Sequence, residues 1–176
     1  MKKEIGIIGL GKMGSGLALN LIEKGWRVVG YNRSIEKAKE LESSGLIVAE
    51  SIEDLVSKLG EDKVIWTMLT SGEPTQSAIF GDNGIINYLN PGDIVIEGGN
   101  SHFKEDKENA RRLQEKQIKY LDVGVSGGPS GARNGACCMI GGEEETFKGV
   151  EALFKDISLE NGYKFFNGHG AGHFIK

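Results

Sequence analysis

The feature of this sequence that most limits its fold is a glycine pattern near the amino terminus. The apolar run Ile5 to Ile8 leads directly into Gly9-Leu10-Gly11-Lys12-Met13-Gly14, the pattern G-x-G-x-x-G. Between a strand and a helix, the first glycine permits a tight turn, the second lets the backbone approach phosphates, and the third allows close helix–strand packing. N–H groups at the start of the helix then face negative charge. These six residues are therefore predicted to bind the pyrophosphate of a dinucleotide, with an ordinary βα turn as the alternative.

The length and charge of the chain fit one such domain. Its 176 residues are enough for a full hydrophobic core, and we expect a single dinucleotide-binding domain over 1–176. The formal net charge is −4 with no block of basic residues, which argues against a nucleic-acid or membrane-surface partner. No apolar stretch approaches the roughly 20 residues of a bilayer span, and no signal-peptide pattern is present. A cytoplasmic location is therefore expected.

The cysteines and histidines give no sign of a disulfide or a metal site. Cys137 and Cys138 are adjacent, and neighbours in a strand point to opposite faces, so they are poorly placed to pair with each other or to share a metal. Both are expected to be small buried thiols in a reducing compartment. The three histidines, His102, His169 and His173, have no metal-ligand partners at a suitable spacing in the sequence. We therefore expect no metal.

Strand-like and helix-like segments alternate along the whole chain. Strands are predicted at 4–10, 27–32, 46–49, 64–69, 93–96, 120–125, 136–140 and 163–166. Helices are predicted at 12–24, 35–44, 51–59, 75–80, 103–117 and 143–157, with Ser34 and Ser51 as N-caps and 103–117 as a solvated outer face. This alternation is typical of an α/β, Rossmann-type, doubly wound fold, with a mostly parallel sheet and helices on both faces. Ligands bind at the carboxyl ends of such strands, so the glycine-rich turns should line one edge.

The tip of the second strand bears on which dinucleotide is bound. NAD sites usually place an acidic residue there, about 20 residues after the glycines, to accept from the ribose 2′-hydroxyl. Here the tip reads Asn32-Arg33-Ser34 and carries no carboxylate. The guanidinium of Arg33 can donate two charge-assisted hydrogen bonds to a 2′-phosphate, and Ser34 can add one from its hydroxyl. This favours NADP over NAD. The alternative is that Arg33 is a solvated turn residue and Ser34 only a helix cap.

Three more segments at strand ends are weaker candidates. Asn100 both donates and accepts hydrogen bonds, which suits a cofactor carboxamide or a substrate hydroxyl; alternatively it is a turn residue or a helix cap. Ser126, with the N–H groups of Gly127 and Gly128, is predicted to hold a substrate carboxylate, and a plain glycine turn is its alternative. The last segment is Met68-Leu69-Thr70. It is expected to pack against the adenosine or ribose, and the alternative is that it belongs only to the core.

Three of the chain's segments resemble motifs of the decarboxylating 6-phosphogluconate dehydrogenases of the β-hydroxyacid dehydrogenase superfamily. They are Ile96–Ser101 (I-x-G-G-N-S), Gly124–Gly128 (G-V-S-G-G) and Gly168–Lys176 (G-x-G-A-G-H-x-x-K). The resemblance implies oxidative decarboxylation of 6-phospho-D-gluconate to ribulose 5-phosphate, CO2 and NADPH, a reaction of gluconate utilization and the pentose phosphate pathway. It also implies a parent enzyme that is a homodimer or homotetramer.

The same resemblance makes Lys176 the catalytic residue. It would take the proton of the substrate 3-hydroxyl as a base and return a proton as an acid, touching the substrate in both steps. A lysine has an ordinary pKa of about 10.4, so burial or a neighbouring cation must lower it for this role. The alternative is an exposed lysine at a chain end.

Some features depart from the family pattern. Glu97 stands where the family more often has Asp, and Pro129 is typical of smaller β-hydroxyacid dehydrogenases. The family continues beyond Lys176 with an all-helical domain that completes the substrate pocket and most of the dimer interface. We therefore expect an excised cofactor domain that binds NADP but turns over little. The alternatives are another β-hydroxyacid dehydrogenase, of the 3-hydroxyisobutyrate or tartronate semialdehyde type, and a non-catalytic dinucleotide-binding module.

Overall fold

The computed structural model describes residues 2–176 as alternating strands and helices. The strands are β1 (Glu4–Ile8), β2 (Arg27–Tyr31), β3 (Ile47–Val48), β4 (Val64–Thr67), β5 (Ile94–Glu97), β6 (Lys119–Ser126), β7 (Ala136–Gly142) and β8 (Ser158–Asn167). The α-helices are α1 (Lys12–Glu23), α2 (Ile35–Lys39), α3 (Ile52–Ser57), α4 (Glu73–Phe80), α5 (Phe103–Gln114), α6 (Gly128–Asn134), α7 (Glu144–Ile157) and α8 (Ala171–Ile175). Short 3-10 helices cover Glu42–Ser44 and Ile85–Asn87.

All eight strands form one sheet in the order β3-β2-β1-β4-β5-β6-β7-β8. The first six are parallel to their neighbours, β7 runs antiparallel to β6, and β8 runs parallel to β7. The expected doubly wound, mostly parallel sheet is therefore confirmed. Because β1 to β6 are parallel, the turns after β1, β2, β4, β5 and β6 all lie at the carboxyl edge, and the strand order reverses between β1 and β4, where such sheets bind ligands.

Two separate apolar layers cover the faces of the sheet. One contains Leu17 and Leu21 of α1 with Phe154 of α7, packed around Trp66. The other contains Leu55 of α3, Ile79 of α4 and Leu113 of α5. Burial of large side chains on both faces, at roughly 1.5–3 kcal/mol each, stabilises the layered arrangement. Within residues 2–176, no helix combines the length and apolar character needed to cross a bilayer.

Two helices were not predicted from the sequence. The segment that forms α6 contains Gly128 and Gly131, which disfavour helix, but Asn20 of α1 donates from its side chain to the Ala132 carbonyl and α6 packs on α1. The five-residue α8 follows Gly170, whose φ is +86°, and its sequence resembles a turn. Packing against α1 for α6, and against β6 and β7 for α8, outweighs weak local propensity.

Of the local predictions, one N-cap was wrong, one was confirmed, and the description of α5 was incomplete. Ser34 lies at the N-cap of α2, but its hydroxyl donates to Glu36 Oε2 at 2.9 Å and caps no backbone N–H. Ser51 does cap α3, accepting from Asp54 N at 3.0 Å. The helix α5 is not simply a solvated outer face: Asp106, Asn109, Ala110 and Leu113 are buried against the sheet. The many charged residues of α5 made its sequence look solvent-exposed on all sides, so the buried residues were not predicted.

The two cysteines also differ from each other. Both are free; Cys138 is buried, where burial raises the pKa of its thiol to about 11, whereas Cys137 is exposed. The expectation that both thiols are buried was therefore wrong for Cys137. The alternation of a strand places Cys137 on the opposite face from Cys138, and that face is uncovered at the end of β7.

Candidate functional site

The turn after β1 has the geometry that each glycine of the pattern requires. Gly9 has φ of +96°, which favours glycine, and a Cβ atom at Gly14 would overlap the Gly9 carbonyl oxygen. Gly11 is the N-cap of α1, and a Cβ there would meet no protein atom within 4 Å. Gly9 and Gly14 thus shape the turn, while Gly11 leaves open space above the first N–H groups of α1.

The tip of β2 is fastened to this turn by an asparagine. Asn32 Oδ1 accepts from Leu10 N at 2.9 Å, and Asn32 Nδ2 donates to the Ser34 carbonyl at 3.0 Å. The side chain of Leu10 is buried and that of Met13 packs against the core, so both offer only backbone to a ligand. Lys12, in contrast, is exposed. Asn32 therefore orients the neighbouring groups as well as being a candidate ligand itself.

A cleft of about 880 Å³ opens at the carboxyl edge beside these residues. Of the predicted cofactor residues, it is lined by Gly9, Gly11, Asn32, Arg33, Ser34, Met68, Leu69 and Thr70. The structure thus brings three separate turns together around one cleft. Arg33 is exposed and makes no ion pair within residues 2–176.

Sequence reasoning missed Lys37, which lines the same cleft as Arg33. The available signal was its position one turn into α2, four residues after Arg33. Two exposed cations therefore stand at the β2 side of the cleft. Tyr31, Ile52 and Glu73 also line it and were not singled out from the sequence.

Asn100 lies further along the carboxyl edge and does not line this cleft. It is exposed, has φ of +59°, and its Oδ1 accepts from Val125 N of β6 at 3.3 Å. It does not cap α5, whose N-cap is His102, accepting from Lys104 N through its ring at 3.2 Å. Asn100 therefore joins the turn after β5 to the end of β6.

Ser126, Gly127 and Gly128 are exposed at the end of β6. Gly127 and Gly128 have φ of +118° and +60°, and the second of them begins α6. The segment is thus more than a plain turn: it directs the chain from β6 into α6 while its polar groups remain open at the carboxyl edge.

The helix α8 lies directly on two glycines of the sheet. A Cβ atom at Gly141 would come within 2.5 Å of Gly172 N, and one at Gly124 within 2.6 Å of Lys176 Cβ. The Cβ atom of Lys176 therefore lies beside Gly124. The next residue of β6, Val125, is the one whose N–H donates to Asn100 Oδ1. The Lys176 side chain is exposed, so residues 2–176 do not provide the burial that its predicted role requires.

Behind α8 lies a buried polar cluster that the sequence did not reveal. We call Glu97, Asp106, Tyr120, Asp122 and His173 the buried polar cluster. His173 Nδ1 lies 2.8 Å from Asp106 Oδ2 and Nε2 lies 3.1 Å from the Val123 carbonyl, while Tyr120 donates to Asp106 Oδ1 at 2.7 Å. Asp122 accepts from Gly170 N and His173 N at 2.6 and 3.1 Å.

Burial and mutual charge perturb the titration of this cluster. Burial raises the pKa of the Glu97 carboxyl, and burial with the nearby Asp106 charge raises that of Asp122. Burial lowers the pKa of His173, but the hydrogen bond and charge of Asp106, with Glu97 and Asp122, outweigh it and hold the pKa above its ordinary value. The acids of the cluster therefore favour the protonated form of the His173 ring, while burial disfavours ionisation of Glu97 and Asp122.

The cluster also qualifies the metal prediction made from sequence spacing. Ligand atoms of Glu97, Asp106 and His173 lie within 4.8 Å of one another, which no spacing in the sequence indicated. Both ring nitrogens of His173 already face protein oxygens at hydrogen-bond distance. The absence of a metal stays a prediction.

Comparison with known proteins relates this chain to the 6-phosphogluconate dehydrogenases. Residues 4–165 match the family model described as the NAD binding domain of 6-phosphogluconate dehydrogenase. The chain is 39% identical over 173 residues to YqeC of Bacillus subtilis, a candidate 6-phosphogluconate dehydrogenase, covering 98% of this chain and 57% of that protein. It is 37% identical over 185 residues to the decarboxylating 6-phosphogluconate dehydrogenase of Chlamydia pneumoniae, covering 100% of this chain and 38% of that one.

Solved structures show the same fold. The 6-phosphogluconate dehydrogenase of Plasmodium falciparum, studied with NADP+ and with 6-phosphogluconate, superposes with a TM-score of 0.90 at 27% identity, over 98% of this chain and 38% of that one. The 3-hydroxyisobutyrate dehydrogenase of Mycobacterium tuberculosis superposes with a TM-score of 0.90 at 24% identity, over 99% of this chain and 58% of that one, which shows a shared fold alone. The chain thus spans between about two fifths and three fifths of the length of these relatives.

Proposed function

This chain belongs to the family of NAD-binding domains of 6-phosphogluconate dehydrogenase, and we propose that it forms the NADP-binding part of a decarboxylating 6-phosphogluconate dehydrogenase. One observation carries the proposal. Open backbone at Gly11 and the exposed cation Arg33 share one cleft, and Asn100 and Lys176 flank β6 further along the same edge. That arrangement suits a cofactor laid along the edge, with its phosphates at α1 and its reactive end near β6.

The residues around the cleft fit NADP better than NAD. The space over Gly11 admits a pyrophosphate at the start of α1. The tip of β2 carries no carboxylate to accept from a 2′-hydroxyl or to repel a 2′-phosphate. Arg33 and Lys37 instead supply two exposed positive charges at that side of the cleft. These contacts support NADP as the cofactor of the proposed enzyme.

The residues beside β6 can perform the proton transfers of the proposed reaction. When bound, NADP supplies a nicotinamide that accepts a hydride. Lys176 takes the proton of the substrate 3-hydroxyl and later returns it to the resulting keto oxygen as CO2 is lost, which leaves a neutral enol. Asn100 orients a hydroxyl or the cofactor carboxamide, and Ser126 with the N–H groups of Gly127 and Gly128 binds the substrate carboxylate. Burial of Lys176 must come from outside residues 2–176.

Calorimetric titration of this chain with NADP and NAD tests the cofactor assignment. The substitution Arg33→Asp should weaken NADP binding about 10- to 100-fold, because it replaces a charge-assisted donor with a repelling carboxylate, and should bring NAD close to parity. Lys39→Asp is the matched control, since Lys39 is an exposed cation six residues after Arg33, at the end of α2, and does not line the cleft. An unchanged preference for NADP in Arg33→Asp would refute the assignment.

The reaction is tested on the full polypeptide in which this sequence occurs. NADPH formation is followed by absorbance with 6-phosphogluconate, 3-hydroxyisobutyrate and tartronate as substrates. The proposal expects turnover with 6-phosphogluconate to exceed the others by at least about 100-fold, because a site that binds a phosphate discriminates strongly against substrates without one. Preference for 3-hydroxyisobutyrate would move the protein to a related dehydrogenase, and NADP binding with no turnover of any hydroxy acid would favour a non-catalytic module.

A further inference from the structure

The imidazole of His173 is clamped from two elements of the fold. Its side chain is 1% exposed, with Nδ1 2.8 Å from Asp106 Oδ2 of α5 and Nε2 3.1 Å from the Val123 carbonyl of β6. A backbone carbonyl only accepts, and an ionised carboxylate only accepts. Both nitrogens therefore donate when Asp106 is ionised, which is the arrangement of an imidazolium.

The same cluster reaches the turn that carries Asn100. Glu97 ends β5, and its Oε1 accepts from Gly99 N at 2.6 Å. Its other oxygen, Oε2, is fully buried, has no hydrogen-bond partner and lies 3.7 Å from His173 Nε2. The Glu97 carboxylate thus binds Gly99 N, just before Asn100, and also faces the His173 ring of α8.

The helix α8 depends on these contacts for its position. A helix of five residues is too short to be stable alone, and its outer residues Phe174 and Ile175 are exposed. Asp122 holds its first turn through Gly170 N and His173 N, and the His173 ring fixes the turn that leads to Lys176. Displacement of the ring would therefore displace Lys176, three residues further along.

We infer that His173 and Glu97 are positioning residues that fix Lys176 and Asn100 relative to each other. The inference rests on the proposed function, in which those two groups face the substrate and the cofactor. The charged and titratable groups around the ring are Glu97 from β5, Asp106 from α5, and Tyr120 and Asp122 from β6. The ring of His173 is the basic group that faces these acids, so its removal takes away the hydrogen-bond and charge partner of Asp106 and leaves buried acidic groups without it.

The test compares His173→Gln, Asp106→Asn and Glu97→Gln with the control His102→Gln in the full polypeptide in which this sequence occurs. His102 is exposed and lies outside the cluster. Glu97→Gln retains an acceptor for Gly99 N, so the turn should persist, but its amide N–H would oppose the ring N–H. Histidine-selective 15N NMR reports the protonation of His173, calorimetry reports NADP affinity, and steady-state kinetics report kcat and KM.

In the wild type, both ring nitrogens of His173 should carry protons and titrate above the ordinary value of about 6.5. The three cluster variants should lower kcat about 10- to 100-fold, as misplacement of a reacting group does, with NADP affinity and the KM for NADP within about twofold of wild type. His102→Gln should leave kcat, NADP affinity and the KM for NADP at their wild-type values.

Two results would overturn the inference. One is a neutral His173 ring below pH 6.5 in the wild type. The other is wild-type kcat in Glu97→Gln, a variant designed to keep the fold even where His173→Gln or Asp106→Asn fails to fold. Failure of the proposed function is distinguishable, because it would show as lost NADP binding or absent turnover in the wild type itself while the NMR signature of His173 remained.

Discussion

The two ends of the carboxyl edge are built in different ways. At the β1–β2 end, the groups proposed to bind NADP are exposed, and a local network of Asn32, Leu10 and Ser34 backbone contacts shapes them. At the β5–β6 end, Asn100 and Lys176 are also exposed, but they are backed by charged side chains that are almost completely buried. In the proposed enzyme, the first end binds the cofactor with backbone N–H groups and exposed cations, and the second holds the proposed reacting groups against a buried cluster.

This contrast has a physical basis. A phosphate can be held by flexible cations and N–H groups with modest geometric demands, whereas proton transfer requires donor and acceptor at hydrogen-bond distance. A buried charged cluster is costly unless each member is paired, but it resists displacement when it is. We therefore expect mutations at the two ends to separate binding from turnover.

The largest separation should come from Lys176→Met in the full polypeptide. Loss of the amine removes the proposed general base, and kcat should fall about 10²- to 10⁴-fold while NADP affinity stays within about twofold. Steady-state kinetics with 6-phosphogluconate, paired with calorimetry of NADP, measure both quantities. Turnover that survives Lys176→Met with less than a tenfold loss would assign the proton transfer to another residue.

At the β1 end, alanine at two glycines of the same pattern should affect different properties: stability at Gly14 and NADP affinity at Gly11. In Gly14→Ala the new Cβ overlaps the Gly9 carbonyl, so α1 or the turn must move, and the melting temperature should fall by several degrees or the chain should fail to fold. In Gly11→Ala the methyl group enters open space, so stability should change by less than about 0.5 kcal/mol.

NADP affinity completes that comparison. Gly11→Ala should bind NADP at least about tenfold more weakly, since the methyl group occupies the approach to the phosphates. Thermal unfolding monitored by circular dichroism and calorimetric titration provide the two readouts. Equal NADP affinity in Gly11→Ala and the wild type would mean that no phosphate approaches α1 at this point.

The contrast between the two ends also explains what the sequence could predict. The fingerprint at 9–14, the tip at Asn32-Arg33-Ser34 and the alternation of strands and helices are local signals, and the family match and the sheet confirm the fold that they indicated. The buried polar cluster joins residues up to 76 positions apart, from Glu97 to His173, and no local pattern marks Asp106 within the charged segment of α5. Helices α6 and α8 were missed for the same reason, because tertiary contacts stabilise them against weak propensity.

The buried polar cluster should give the protein a distinctive dependence of stability on pH. The pKa of His173 is raised in the folded state, so its protonation stabilises the fold fully below the unfolded value of about 6.5 and ceases to do so as pH rises through the folded pKa. Each unit of difference between the two values contributes about 1.4 kcal/mol.

Chemical denaturation between pH 5.5 and 9 measures this effect. The difference in unfolding free energy between wild type and His173→Gln should shrink as pH rises across this window. A wild-type advantage that grows with pH would show that the ring is neutral in the folded protein and that the Asp106 contact does not favour its charged form.

The smallest expected effect lies at the cation that sequence reasoning missed. Lys37 lines the cleft but is exposed, and exposed ion pairs contribute roughly 0.2–1 kcal/mol, so Lys37→Ala should weaken NADP binding by only about two- to fivefold and leave NAD binding unchanged. The effect should vanish at about 1 M salt, where the screening length falls to about 3 Å. Lys39→Ala on the same helix is the control, and calorimetry at low and high salt is the measurement. A loss larger than that of Arg33→Asp would make Lys37, not Arg33, the principal contact of the 2′-phosphate and would shift the binding site deeper along α2.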